Sequence, residues 1–564
     1  MNDSGLGLRA ARQADTPAPD RVGTFAPLAE PTFRRIWISS LVSNFGQLIL
    51  GVGAAWEMTR MSSSPSMVAL VQTALMLPLM LVAVPAGALA DMFDRRRIAL
   101  TGLGFSAAAG TVLTILSAMG LVTPWLLLGF CTLIGAGVAL YSPSWQASIS
   151  EQVSPEHLPA AISLGAISYN IARSFGPALG GVIVMAVGAK AAFGINATFY
   201  IPLWVAFFFW QRKHTPSRLP PERIVRAIVS GARYARHSPP IRIVLLRALM
   251  FGLASATYTA LGPLIAKNLL HGNASTYGII LGATGIGAVM GAVCLTDLRR
   301  RFSNEALVRV FALMTGASLL VLANSHTLWI SVLAFLVIGI GNMQTISLFN
   351  ISVQLTAPRW VTARALSLYS SALTGGIAFG AWFWGTVAGQ YGVATALALS
   401  SGVVAATSLL GKVLPLPREE EVNTSSVRIG AEPQVALALT MRSGPVVVEL
   451  EYDVDPEQAR AFYEVAIQLQ RVRQRNGGFD WSFARDIANP ALWTERYHCP
   501  TWGDYLRLRD RYTQGDLDIQ SAADSFNRSR ERRVRRWLGR PYGSVRWKAD
   551  SHDPQTNTVG FLGV

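Results

Sequence analysis

The chain has 564 residues, 51% of them apolar and 15% charged, with a mean hydropathy of +0.34. Soluble domains carry roughly 25% charged residues, so a soluble assembly of domains is excluded. The net charge is +16, but the basic residues sit in short loops and in the C-terminal region rather than on one amphipathic surface, which argues against nucleic acid as a partner.

Residues 1–35 are polar and Pro-containing, lack the short apolar core of a cleaved signal peptide and read as a disordered cytoplasmic arm. Twelve apolar segments follow, each long enough to cross a bilayer, which takes about 20 residues. They are 36–58, 67–90, 98–120, 124–145, 160–187 and 191–210, then 241–266, 275–297, 306–324, 327–350, 363–388 and 391–413. The domain plan places a first six-helix lobe at 36–211, a basic central loop at 212–240 and a second lobe at 241–413. A polar linker follows at 414–442, then a small domain at 443–550 and a tail at 551–564.

The two lobes repeat one another in parallel. Gly87 precedes Arg95, Arg96 and Arg97 by the same spacing as Gly291 precedes Arg299, Arg300 and Arg301, and the two glycines are 204 positions apart. Ile134-Gly135-Ala136-Gly137 returns as Ile338-Gly339-Ile340-Gly341, and Phe175-Gly176 as Phe379-Gly380. Parallel repeats of this size imply a two-lobed membrane transporter for a small-molecule substrate, with its site between the lobes. Alternate loops hold Arg95 to Arg97, then Arg212, Lys213, Arg218, Arg223, Arg226, Arg233 and Arg236, then Arg299 to Arg301 and Arg359. The other loops hold only Arg60, Lys190 and Lys267. Basic loops face the cytoplasm, so both termini are expected there.

A charge in a membrane span costs at least ~2.5–3.5 kcal/mol, so the few polar side chains in the spans are site candidates. Arg173 lies midway along helix 5, with Tyr169 and Asn170 a turn away. It reads either as a cavity cation for anionic or catecholate-like groups, or as an internal structural pair or a cytoplasm-reaching snorkel. Arg247, nearer the basic end of helix 7, is expected to snorkel. Glu57 is the one acidic residue placed within a span. It is a candidate for proton coupling, against the alternative of an exposed interfacial residue. Asn44, Gln47, Tyr141, Gln146, Asn342, Gln344 and Asn350 are further cavity candidates, each also readable as an interhelical hydrogen bond.

After the spans, residues 446–454 alternate apolar and polar as a half-buried strand. A helix follows to about Gln474, then strands around 481–486 and 492–498, a helix from Thr501 and a last strand at 542–549. This βαββαβ order makes a ferredoxin-like unit. The arginines between Arg528 and Arg540 read as a basic face toward anionic lipid. His498 is a lone histidine. Cys131, Cys294 and Cys499 have neither disulfide nor metal-ligand spacing, and no phosphate-binding loop occurs. No metal, cofactor or ATP is expected.

The segment Gly87-Ala-Leu-Ala-Asp91-Met-Phe-Asp94-Arg95-Arg96-Arg97 resembles the signature loop of the major facilitator superfamily, G-x-L-a-D-r-x-G-r-R. Asp94 replaces the pattern's glycine. In that family the loop latches the lobes together. Gly176-Pro177-Ala-Leu-Gly180-Gly181 resembles the helix 5 motif of exporters. The Arg that many drug antiporters carry in helix 4 is Cys131 here, so their proton-coupling scheme is not carried over. The match covers residues 30–415 and is similar to the enterobactin-exporter-like, transmembrane secretion effector branch. It implies a bacterial plasma (inner) membrane exporter of siderophore-like or drug-like molecules. The small domain resembles dimeric antibiotic-biosynthesis-monooxygenase-type modules, which implies a homodimer. A cofactor-independent oxygenase acting on phenolic cargo is the alternative to a non-catalytic tail.

Overall fold

The computed structural model describes residues 25–92, 94–154, 156–211, 224–358, 360–417, 433, 435–529 and 533–539. Its first half holds α1 (Pro31–Met61), α2 (Pro65–Met92), α3 (Arg95–Ala118), α4 (Pro124–Ser148), α5 (Leu158–Val187) and α6 (Ala189–Phe209). A short α7 (Ile224–His237) precedes α8 (Pro239–Ala260), which continues through α9 (Gly262–Leu264) and a π-helical turn at Ile265–Leu269. Then come α10 (Ala274–Arg301), α11 (Asn304–Asn324), α12 (Leu328–Thr356), α13 (Thr362–Tyr391), α14 (Val393–Thr407) and α15 (Leu410–Val413).

Among the described residues eleven stretches are long and apolar enough to cross a membrane. The twelfth expected span, α13, is 30 residues long but richer in Ser, Thr and Gly. It packs lengthwise on α2 and α8. Helix boundaries follow from local chemistry. Asp94 caps α3 by accepting from the Arg96 amide at 3.0 Å, and Thr123 caps α4. Asn273 and Thr276 form a capping box on α10. Gly188 and Gly392 make the sharp turns from α5 into α6 and from α13 into α14 at φ +90° and +87°, a conformation that glycine adopts without steric cost.

The helices pack in two groups. α1 packs on α5 and α6, and α3 on α4 and α6; likewise α8 packs on α13 and α14, and α11 on α12 and α14. The groups meet along two seams, α2 with α13 and α5 with α10.

Two sequence expectations change here. Helical structure is already present before residue 36, because Ala26–Ala29 form a turn and Pro31 starts α1. The central loop also contains α7, whose apolar positions recur at helical spacing and which packs on α2, α13 and the C-terminal domain.

That domain is a four-stranded antiparallel sheet of β1 (Val446–Asp453), β2 (Phe479–Arg485), β3 (Leu492–Cys499) and β4 (Arg533–Leu538), in the order β2-β3-β1-β4. One face packs on α16 (Ala459–Asn476), α17 (Trp502–Asp510) and α18 (Gln514–Ser525) through Val448, Leu450, Tyr452, Phe462 and Leu508. The expected last strand at 542–549 lies outside the described residues. Among the described residues the strand beside β1 on that side, β4, lies inside the arginine run. Arg533 and Arg535, two residues apart, share one face and meet Glu451 at 3.7 and 3.2 Å, and Arg528 meets Asp453. Arg528, Arg533 and Arg535 are thus paired within the domain, Arg536 donates to the Tyr505 hydroxyl, and Arg530, Arg532 and Arg540 lie outside the described residues.

Candidate functional site

A cavity of about 320 Å³ lies between the two helix groups, lined by α1, α2, α4 and α5 on one side and α8, α10, α12 and α13 on the other. Its walls are mostly aliphatic. Among the described residues the only charged side chain on it is Arg173. The guanidinium lies beside the Tyr258 hydroxyl and 3.9 Å from the Met343 sulfur. No carboxylate pairs with it among the described residues. The remaining polar lining includes Gln47, Gln72, Tyr169, Tyr258, Tyr277 and Asn342. A cation, aromatic hydroxyls, amides and aliphatic walls together suit an amphipathic, negatively charged guest.

Of the residues singled out in the sequence, Gln47, Tyr169, Arg173 and Asn342 meet at this cavity. Asn170 lines a neighbouring one. Asn44 instead donates to the Ser168 hydroxyl at 3.4 Å, tying α1 to α5. Tyr141 is buried against Gly102 of α3, and Gln146 is exposed. Gln344 is fully buried against Gly291. Asn350 accepts from Gln354 at 2.5 Å. Glu57 pairs with Arg60 at 3.3 Å, a turn beyond the cavity. Gln72, Tyr258 and Tyr277 were not anticipated. An isolated Gln within an apolar run was the available signal for Gln72, whereas tyrosines in spans look like packing residues.

The cavity is closed at the end remote from the basic loops. Lys267 donates to the Thr59 carbonyl at 2.8 Å across the groups. Trp56 stacks on Tyr277 with centroids 6.4 Å apart, and Ser66 donates to the Gly385 carbonyl at 3.1 Å. The α5 glycines divide their work. Gly176 and Gly180 receive Leu48 and Val52 of α1, whereas Gly181 lies backbone to backbone on Gly278 of α10. Pro177 lines the cavity.

The sequence profile described as transmembrane secretion effector matches residues 22–542, nearly the whole chain. The chain belongs to this family of major facilitator transporters. It is a multi-pass membrane transporter, and its relatives are transporters rather than enzymes. It is 25% identical over 408 residues to the multidrug efflux pump Tap of Mycolicibacterium fortuitum, covering 69% of this chain and 97% of that one. It is 23% identical over 288 residues to the staphyloferrin A transporter of Staphylococcus aureus, covering 50% and 71%. It is 24% identical over 269 residues to the enterobactin exporter EntS of Citrobacter koseri, covering 47% and 62%. The fold resembles the crystal structure of a bacterial homologue of the lysosomal transporter Spinster, with a TM-score of 0.55 at 12% identity, covering 69% of this chain and 96% of that one.

Two arginines of the family's signature loop bond to neighbouring helices of the first group. Arg95 donates to the Ala147 carbonyl at 2.7 Å and to Glu151 at 2.9 Å. Arg96 donates to the Phe207 carbonyl at 3.0 Å and to that of Phe208, closing the C-terminal end of α6. Arg97 is exposed. Asp94, the departure from the family pattern, has a local reason as the cap of α3. The Gly87 and Asp91 side-chain positions lie outside the described residues.

Arg247 does not snorkel. It is 2% exposed and bidentate on Glu305 of α11 at 2.5 and 3.2 Å, with a further bond to the Leu414 carbonyl at 3.2 Å. Glu305 also accepts from the Leu416 amide at 3.0 Å, so it fixes the start of the linker.

In the C-terminal domain the buried carboxylate Glu495 has a full set of donors. Glu495 accepts from Arg473 at 2.9 and 3.1 Å, from the Trp481 indole at 3.0 Å and from the Tyr452 hydroxyl at 3.2 Å. Burial alone would raise the Glu495 carboxyl, but the Arg473 charge and these donors hold it below the usual carboxylate range. Burial pushes the Cys499 thiol up to about 12, which makes it a poor nucleophile. His498 stands 3.4 Å from Asp480, which is exposed. The sheet's open face carries Arg496–Glu449 at 2.6 Å beside the Arg535–Glu451 pair. This face is a lattice of charges, unlike the apolar face that would make pairing of two sheets favourable.

Proposed function

We propose that this protein is a secondary active exporter of small amphipathic anions, siderophore-like or drug-like, working by alternating access. The observation that carries the proposal is Arg173, the one cation among the described residues on a cavity walled by both helix groups. Relatives named for siderophores and drugs support the cargo class. The matching packing of the two groups and the paired turn glycines Gly188 and Gly392, 204 positions apart, support two parallel six-helix repeats. Loop charge supports cytoplasmic termini, and on that orientation the cavity is shut toward the outside here. In this reading Gly87, Asp91, Arg95, Arg96 and Arg97 form the gate loop. Gly176, Pro177, Gly180 and Gly181 let α5 move against α1 and α10. Glu57 lies off the cavity beside Arg60, so the geometry gives no support to coupling through it.

The antiparallel order β2-β3-β1-β4, with α16 after β1 and α17–α18 before β4, supports a ferredoxin-like tail domain at 443–550. Glu495 is fully engaged by its donors and burial raises Cys499, so neither offers a free base or nucleophile, which favours a non-catalytic tail over an oxygenase. The domain rests on the transporter itself: the Arg511 guanidinium lies 4.3 Å from the Trp360 ring, and Trp360 meets Tyr234 of α7 edge-on.

The test is efflux of an anionic catecholate and of its uncharged ester. A hydrogen bond to a charged group contributes about 1.5–3 kcal/mol, so Arg173→Gln should slow the anion by about tenfold or more and spare the ester. Arg173→Lys should retain an intermediate rate. Equal loss for both cargoes would overturn the role of the cation.

A further inference from the structure

The α5–α10 seam is not uniform along its length. At the closed end, Gly181 and Gly278 touch. Two turns toward the basic end, the Ser174 hydroxyl donates to the Gly285 carbonyl at 3.1 Å. Beyond that contact the helices part. A second cavity of about 310 Å³ opens between Asn170 and Ile171 of α5 and Ala288, Val289 and Val293 of α10. Arg173 and Ala288 line this cavity and the central one alike.

The outer rim of the gap belongs to the lipid-facing surface. Val293 is 75% exposed, Val289 43% and Met290 48% on α10, with Phe175 at 53% on α5. All lie within spans. Aliphatic side chains exposed at that depth face acyl chains. The gap therefore runs from the hydrocarbon region of the membrane inward to a cation, with Asn170 and Ser174 as its only other polar lining among the described residues.

We propose that this slit is a lateral binding site for a single-chain anionic amphiphile, with its head on Arg173 and its alkyl tail in the α5–α10 gap. The inference rests on the central cavity being the transport site and narrows its cargo to molecules that partition into the membrane first. An anionic head matches an arginine without a carboxylate partner. An aliphatic channel opening to lipid matches a tail, and burying each methylene contributes about 0.8 kcal/mol. The volume is at the small end of ligand pockets, which suits one chain rather than two.

The direct test is photolabelling of the full chain in lipid nanodiscs with a dodecyl phosphate carrying a diazirine at the chain end. Label is expected on α5 around 167–171 and on α10 around 289–293, and excess unlabelled dodecyl phosphate should compete it away. Phosphatidylglycerol at the same concentration should compete at least tenfold less well. Label confined to α2, α8 and α13 would overturn the site, as would equal competition by the two-chain lipid. A second arm uses Ala292→Trp, which fills the slit away from the central cavity. Transport of a dodecyl-tailed anion should fall about tenfold, while a tail-less anion of the same head moves at the normal rate. An unchanged tailed anion would overturn the slit. A tail-less anion indifferent to Arg173→Gln would instead overturn the central site.

Discussion

Gly181 of α5 and Gly278 of α10 meet backbone to backbone across the two helix groups, so close that a methyl group on Gly278 would stand 2.8 Å from the Gly181 Cα. This contact, with Lys267 on the Thr59 carbonyl and Trp56 on Tyr277, seals one end of the cavity. A larger residue there has nowhere to go, because the obstacle is backbone.

Gly278→Val should therefore hold the sealed end apart. The protein should reach the membrane at normal levels, since each group keeps its own packing, but transport should fall at least tenfold. Protease or thiol access from the sealed side should rise. Normal transport with unchanged access would show that the seal does not form during the cycle.

Arg247→Ala should be more damaging than a surface substitution. It removes the bidentate partner of Glu305 and leaves only Arg309 at 3.3 Å, on the solvent side, to face that carboxylate, and breaking a largely buried pair costs up to about 3–5 kcal/mol. Arg247→Met combined with Glu305→Gln should recover much of that loss, because the charge that remains, Arg309, has a side chain 41% exposed. Thermal aggregation of the purified transporter would rank the three proteins. A single variant as stable as the parent would mean that the pair contributes nothing.

Acid should loosen the C-terminal domain before neutral pH does. The folded Glu495 carboxyl is held below its ordinary value, so its stabilisation is complete at neutral pH and is lost as pH falls through the folded value. Amide protection in β1 and β3 of the full chain, taken relative to the intrinsic exchange rate at each pH, should fall on acidification below the usual carboxylate range. Glu495→Gln should already be destabilised at pH 7 and should change less with pH. Protection independent of pH in the parent would contradict this.

The sequence disclosed the spans and the cavity cation for one physical reason: a charge in an apolar run is expensive and so conspicuous. It did not disclose which polar residues face the cavity, because that depends on helix rotation. Asn342 and Gln344 are two residues apart and therefore point to different faces; one lines the cavity and the other is packed against Gly291. Arg247 was misplaced because its partner Glu305 sits in the first turn of another helix, a long-range pairing that no local pattern shows. The arginines of β4 hid a strand, since their alternation answers Glu449 and Glu451 on β1. The helix α7 was obscured by its arginines.

The central claim is a cavity open to one side at a time, resting toward the cytoplasm. It is tested most directly by Gln47→Cys, a cavity position, in a chain whose Cys131, Cys294 and Cys499 are replaced. Labelling by a membrane-impermeant maleimide should be rapid in inside-out vesicles and slow in right-side-out ones. Adding Gly278→Val should reverse that preference. Equal labelling from both sides in the parent, or a preference that Gly278→Val leaves unmoved, would contradict the account.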